Sequence, residues 1–313
     1  MRFAFWKAPA SDPIPVVAPS RATVPPDVLR KVRRIEIRVR RLVNTVFLGE
    51  YHSVFRGQGI EFSEVREYAA GDDARLIDWN VTARMGYPYI KKYVEERELN
   101  VVLAVDISGS NAFGSERPKL EVAAEVCALL AFSAIRNNDK VGLLTFSDII
   151  ERFVPPRTGR EHALRVVREL LLAAPQGRGT DIGAALGYLG HLLKRRSLIL
   201  LVSDFLASGY ETALRVLARR HDIVALTITD PRELTMPAVG LVELEDGETG
   251  QRVVLDTASP AVQAAYARRV REALDARDRL FQSTQVDRVD IRTNQSYVEP
   301  LIAFFEARAR RRA

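Results

Sequence analysis

Apolar and polar positions fall into blocks along this 313-residue chain, and the blocks change character near residue 99. From there LNVVLAVDIS (99–108), VGLLTFS (141–147), SLILLVSDF (197–205) and DIVALTITD (222–230) are apolar almost throughout and end in polar or acidic residues. Unbroken apolar runs of this length read as strands covered on both faces. Between them lie helical patterns at Lys119–Arg136, Arg160–Leu172, Ile182–Leu193 and Tyr210–Arg220, the first apolar around most of its surface. IIERFVPP (149–156) follows VGLLTFS closely enough to pair with it as a hairpin. The alternation predicts an α/β fold, a doubly wound and mainly parallel sheet. Further on, VGLVELEDGETGQRVVLD (239–256) carries Asp246-Gly247 and Thr249-Gly250 between apolar runs, a hairpin signal. Ser259-Pro260 opens a helix to about Phe281, VDRVDIRT (286–293) reads as an edge strand, and Val298–Arg308 as a last helix.

Ahead of residue 99 the pattern is weaker. Residues 1–26 are rich in Pro and Ala and are expected to form a disordered leader. Pro25-Pro26-Asp27 starts a helix, with Asp27 as its expected cap, and Val32, Ile35, Val39 and Val43 recur along it at three- and four-residue steps. Residues 49–98 mix charge with aromatics and hold no steady period; the aromatic content argues for a folded element, with Trp79 as an anchor into the core. The expected organisation is therefore a leader (1–26), a basic helix with an irregular or β extension (27–98), and an α/β domain (99–313) interrupted by a hairpin insertion at about 232–257.

Charge and composition narrow the setting. No run approaches the roughly 18 apolar residues of a membrane span, and the N-terminus lacks the apolar block of a signal peptide. One cysteine, Cys127, excludes an internal disulfide and fits a reducing compartment, so a cytoplasmic location is expected. The net charge of +6 comes largely from Arg30–Arg41 and the Arg308–Arg312 tail. Such clusters attract anionic surfaces. The aliphatic periodicity of 32–43, however, describes an ordinary amphipathic helix with a solvated basic face. Aromatics are not interleaved with its arginines, as single-strand binding tends to require, so no nucleic-acid partner is expected. Peripheral membrane contact and an acidic partner stay open.

The chemistry concentrates at strand ends. Asp106-Ile107-Ser108-Gly109-Ser110 closes the first apolar strand, and D-x-S-x-S on one turn can converge an acid and two hydroxyls. Gly177-Arg178-Gly179-Thr180-Asp181 supplies another hydroxyl in a loop opening a helix, and Ser203-Asp204 ends the third strand. In parallel sheets the carboxyl ends of strands form the ligand crevice. Hydroxyls with carboxylates suit a hard cation: magnesium is expected, with manganese or calcium as alternatives. The four histidines are scattered, which argues against zinc. The competing view makes the serines turn caps and the aspartates solvated loop acids.

These residues resemble the von Willebrand factor A domain and its metal-ion-dependent adhesion site. The resemblance implies that Ser108, Ser110 and Thr180 touch the metal directly, that Asp106 and Asp204 act largely through bound water, and that a partner's carboxylate completes the shell. Where many members carry a methionine after the second serine, this chain has Asn111. The segment FRGQGIEFSEVREYAAGDDARLIDWNVTAR (55–84), followed by KKYVEERE (91–98), resembles the signature of the bacterial domain of unknown function 58 family. That resemblance implies a cytoplasmic or membrane-associated protein working with a MoxR-type AAA+ ATPase. Within the segment Arg66, Asp72, Asp73, Arg75, Asp78 and Arg84 form either internal ion pairs or a partner-docking surface. The expected function is a metal-dependent adaptor and not an enzyme. A magnesium-dependent phosphoester hydrolase is the alternative, though no GxxxxGK[ST] loop or adjacent histidine supports one; a basic nucleic-acid or membrane-surface protein is the third.

Overall fold

The computed structural model describes residues 25–43, 59–69, 71–96, 98–247 and 250–312. All of the expected leader except Pro25 and Pro26 lies outside the described residues. Helix α1 (Pro26–Leu42) starts two residues earlier than a cap at Asp27 would place it, with Pro26 at its first position, where a missing N–H leaves no bond unmade. Asp27 therefore lies within the first turn and not at the expected cap position. The aliphatic stripe behaves as its spacing requires: Val32, Ile35, Val39 and Val43 are all buried.

The irregular segment contains more order than its pattern suggests. Strands β1 (Gly59–Glu67) and β2 (Tyr89–Glu96) form an antiparallel ribbon with a register shift between Phe62 and Glu64. Its connection holds a 3-10 turn (Ala74–Leu76) and the short helix α2 (Trp79–Met85). Trp79 is not a core anchor: it is 70% exposed, and no residue of α2 is buried. The helix is held by polar bonds instead. Asp78 accepts from the N–H groups of Asn80 and Val81, and Thr82 Oγ1 accepts from Tyr89 N–H.

The main sheet is built from β3 (Asn100–Asp106), β4 (Lys140–Phe146), β5 (Ile150–Arg157), β6 (Leu198–Ser203), β7 (Asp222–Thr229) and, after the two strands of the hairpin, β10 (Asp287–Arg292). Their order is β10-β7-β6-β3-β4-β5, parallel except for the edge strand β5. Between the strands run α3 (Lys119–Arg136), α4 (Arg160–Leu171), α5 (Ile182–Leu192), α6 (Glu211–Ala218) and α7 (Pro231–Leu234). Then come the hairpin strands β8 (Leu241–Glu245) and β9 (Arg252–Asp256), followed by α8 (Pro260–Thr284) and α9 (Val298–Arg312). Ser259 stands at the expected cap position of α8, but its side chain makes no capping bond.

Because side chains alternate along a strand, β3 sends Val101, Leu103 and Val105 into one core and Val102 and Ala104 into another. The first core includes α3, α4 and α9, with α1 packed outside them; the second includes α5, α6 and α8. The fold is a doubly wound α/β sheet. Burial also pushes the Cys127 thiol up to about 12, so this cysteine is an inert part of the first core. No helix among the described residues is long and apolar enough to cross a membrane.

Candidate metal centre

Strand order decides where a site can form. The chain passes from β3 outward to β4 and β5, then returns to place β6 on the other flank of β3. Connections therefore diverge between β3 and β6, and a crevice opens at their carboxyl ends. Asp106 ends β3, and Ser203 ends β6 with Asp204 immediately after it. Both aspartates are buried, at 1% and 5% exposure, and this removes the competing view of solvated loop acids.

Asp106 is fixed by two donors. Ser108 N–H donates to its Oδ1 at 2.9 Å and Ser203 Oγ to its Oδ2 at 2.7 Å. Burial pushes its carboxyl above the usual range, the nearby charge of Asp204 adds to this, and the serine hydrogen bonds oppose it. Ser108 Oγ and Ser110 Oγ lie 3.2 Å apart. Neighbouring ligands of an octahedral ion bound at about 2.1 Å are separated by about 3 Å, so the pair already has the spacing that two magnesium ligands need. Asn111 is buried beside them and directs Nδ2 toward Ser108 Oγ at 3.4 Å.

Thr180 is carried in by its loop. Gly109 N–H donates to Arg178 O, and Asp181 N–H donates to Ser147 O while its carboxylate caps α5 through Ala184 N–H. Glu151 Oε1 accepts from the N–H groups of Gln176 and Gly177 and from Ser147 Oγ. A Cβ at Gly177 would lie 1.7 Å from Asp148 Oδ1 and 2.3 Å from Ser147 Oγ, so a side chain there would have to push both aside. Thr180 thus lies between two backbone anchors beside the D-x-S-x-S turn.

Sequence reasoning missed three participants. Lys119 is fully buried and places Nζ 2.8 Å from Asp204 Oδ2 and 2.6 Å from Glu233 Oε1. Desolvation lowers its pKa, but the two carboxylates outweigh this and hold the ammonium charged. A lysine in the first turn of a helix opposes the helix dipole, which is a faint signal that it needed acids nearby. Glu233 belongs to the capping box of α7, its Oε2 accepting from Asp230 N–H. The third is Gly247 at the hairpin tip: a Cβ on Gly109 would lie 2.3 Å from Gly247 O. The hairpin therefore reaches back over the site, a contact between segments that no local pattern encodes.

Among the described residues no group of three His, Cys, Asp or Glu side chains could hold a metal. A metal here would be held by Ser108, Ser110 and Thr180, with Asp106 and Asp204 behind them. Because Lys119 already neutralises Asp204, that aspartate fits an indirect role better than a direct one.

The residues expected at a second surface do not form an acidic cluster. Arg66 donates to Asp72 at 2.6 Å, and that bond, with Ala69 N–H, holds the Asp72 carboxyl below the usual range. Asp73 caps the 3-10 turn through Arg75 N–H. The Asp78 carboxyl is held low by its bond from Val81 N–H, and Lys91 lies 3.5 Å away. Arg75 and Arg84 are exposed and make no carboxylate pair among the described residues.

The family described as "Protein of unknown function DUF58" matches residues 64–276. "Uncharacterized protein Rv1480" of Mycobacterium tuberculosis is 31% identical over 292 residues, which cover 91% of each chain. "Uncharacterized protein YeaD" of Bacillus subtilis is 28% identical over 111 residues, 36% of this chain and 26% of that one. Among solved structures, the conserved hypothetical protein BatB from Bacteroides thetaiotaomicron superposes with a TM-score of 0.45 at 17% identity, covering 68% of this chain and 99% of the other. An aerotolerance-related membrane protein from Bacteroides fragilis gives 0.46 at 16%, with the same coverage.

Proposed function

The chain belongs to the DUF58 family, and from that premise and the site at the β3–β6 crevice we propose a magnesium-dependent protein-binding adaptor of the von Willebrand factor A type. The observation that carries this reading is the Ser108–Ser110 hydroxyl pair at ligand spacing beside the buried Asp106. A partner carboxylate completes the shell. Phe113 and Leu206, exposed by 46% and 60%, follow the D-x-S-x-S turn and Asp204 and give that partner apolar contacts beside the metal. The protein works in the cytoplasm with a MoxR-type AAA+ ATPase, in a chaperone-like or assembly role, and is not an enzyme.

The test has two parts. Titration calorimetry with magnesium is expected to show binding by the wild type and none by the Ser108→Ala/Ser110→Ala variant. Affinity purification from the native cell, with and without magnesium, is expected to recover an AAA+ ATPase or its client with wild type only. Equal recovery by the double variant would overturn the metal-dependent reading. Phosphoester turnover abolished by Asp106→Asn would replace it with the hydrolase.

A further inference from the structure

On the opposite flank from the candidate metal, α1 and α4 enclose an open groove of about 1240 Å³. Five arginines and two glutamates line it, with Arg33 supplied by α1, Arg157 by the end of β5, and Arg160, Arg165 and Arg168 by α4. Some of that charge is matched. Arg160 donates to Glu36 at 3.0 Å through Nε, a bond tying α4 to α1, and Arg165 lies 3.8 Å from Glu169. Arg33, Arg157 and Arg168 make no ion pair with a carboxylate among the described residues. The rest of the lining is Thr158, Gly159 and His162 together with the apolar Leu29, Val32 and Leu164, of which Leu29 is half-exposed. Unpaired like charges around an apolar trough repel one another, and an anionic ligand with an apolar side relieves that repulsion.

We propose that this groove binds an acidic amphipathic segment of a protein partner, its carboxylates on Arg33, Arg157 and Arg168 and its aliphatic side chains on the half-exposed Leu29 and the partly buried Leu164. The shape favours an inserted chain over a membrane, which would need apolar groups projecting outward. The lining offers no Phe, Tyr or Trp on which bases could stack, which argues against single-stranded nucleic acid. The chain's own first 24 residues carry Arg2, Lys7 and Arg21 against the one acid Asp12, so their charge does not complement the groove. The match is to helix-in-groove recognition. The groove is independent of the metal centre.

The test uses the full chain and a fluorescent peptide of about 18 residues, five helical turns, with glutamates on one face and leucines on the other. Anisotropy at low salt is expected to show binding that falls about tenfold in Arg157→Glu/Arg168→Glu. The charge-matched control Arg215→Glu/Arg219→Glu, exposed on and beside α6, is expected to bind as wild type. Circular dichroism confirms that each variant is folded. Binding is also expected to survive EDTA and Ser108→Ala/Ser110→Ala, which separates this proposal from the metal reading. An equal loss in the control pair would reduce the effect to net charge and overturn the groove. So would no peptide binding, or tighter groove-dependent binding of an oligonucleotide or of phosphatidylserine vesicles.

Discussion

At the scale of single residues, the strongest dependence falls on Lys119. Its ammonium is enclosed between Asp204 and Glu233, and removing it leaves two carboxylates facing each other with little water. Lys119→Met is expected to destabilise the fold by about 3 kcal/mol, read as a lower midpoint in urea denaturation. An unchanged midpoint would mean that the two acids find other partners. Asp230 gives the pH dependence. Burial pushes its carboxyl up, but bonds from Ser115 N–H and Oγ, Thr293 Oγ1 and Arg232 N–H more than compensate, and its pKa falls below the ordinary 3.8. A carboxyl lowered on folding stabilises the protein above the unfolded value, and that stability is lost as pH falls through the folded one. Asp230→Asn should therefore flatten the acid limb of a stability–pH curve below about pH 4. Asp106 and Asp204 could be read from sequence because each ends an apolar strand. Lys119 and Glu233 could not, since they meet only when α3 and α7 converge, and Trp79 misled because an aromatic in a charged segment carries no sign of which side it faces.

At the scale of elements, glycine positions separate packing from propensity. Gly109 and Gly247 are in backbone contact, so Gly109→Ala must displace the hairpin tip, at a cost of about 1–3 kcal/mol. Faster amide exchange in β8 and β9 would report the displacement; protection equal to wild type would show that the tip does not rest on the turn. Gly187, in the interior of α5, has open space where a Cβ would go, and Gly187→Ala is expected to stabilise by about 0.5–1 kcal/mol. Helix α3 was legible to its ends, because its apolar run lies between Pro118 and the Asn137-Asn138 turn. The β1–β2 ribbon was legible only as an irregular or β extension, with no strand bounds. It stands outside the main sheet, and without a sheet burying one face nothing imposes a period of two on its sequence.

At the scale of the whole molecule, the fold class was readable because four strands are apolar on both faces, which only a sheet covered by helices on each side accommodates. Strand order was not readable, since periodicity says which face is buried but not which strand lies alongside. Helix α1 belongs to the domain's packing even though it precedes the sheet by some distance in sequence. Deleting residues 1–43 uncovers the aliphatic surface of α3 and α4 and is expected to lower the melting temperature by more than about 5 °C. A truncated chain that melts with the intact one would show α1 to be an appendage. The placement of β6 beside β3 also has a consequence in time. On the ribosome Asp106 emerges well before Asp204, and β3 has a neighbour on only one side until β6 has been made. A chain stalled before Leu198 would hold the D-x-S-x-S turn and its helix but only one wall of the crevice. Synthesis from the N-terminus therefore leaves the crevice with a single wall until about two-thirds of the chain has been translated, and only β6, arriving then, closes its other side.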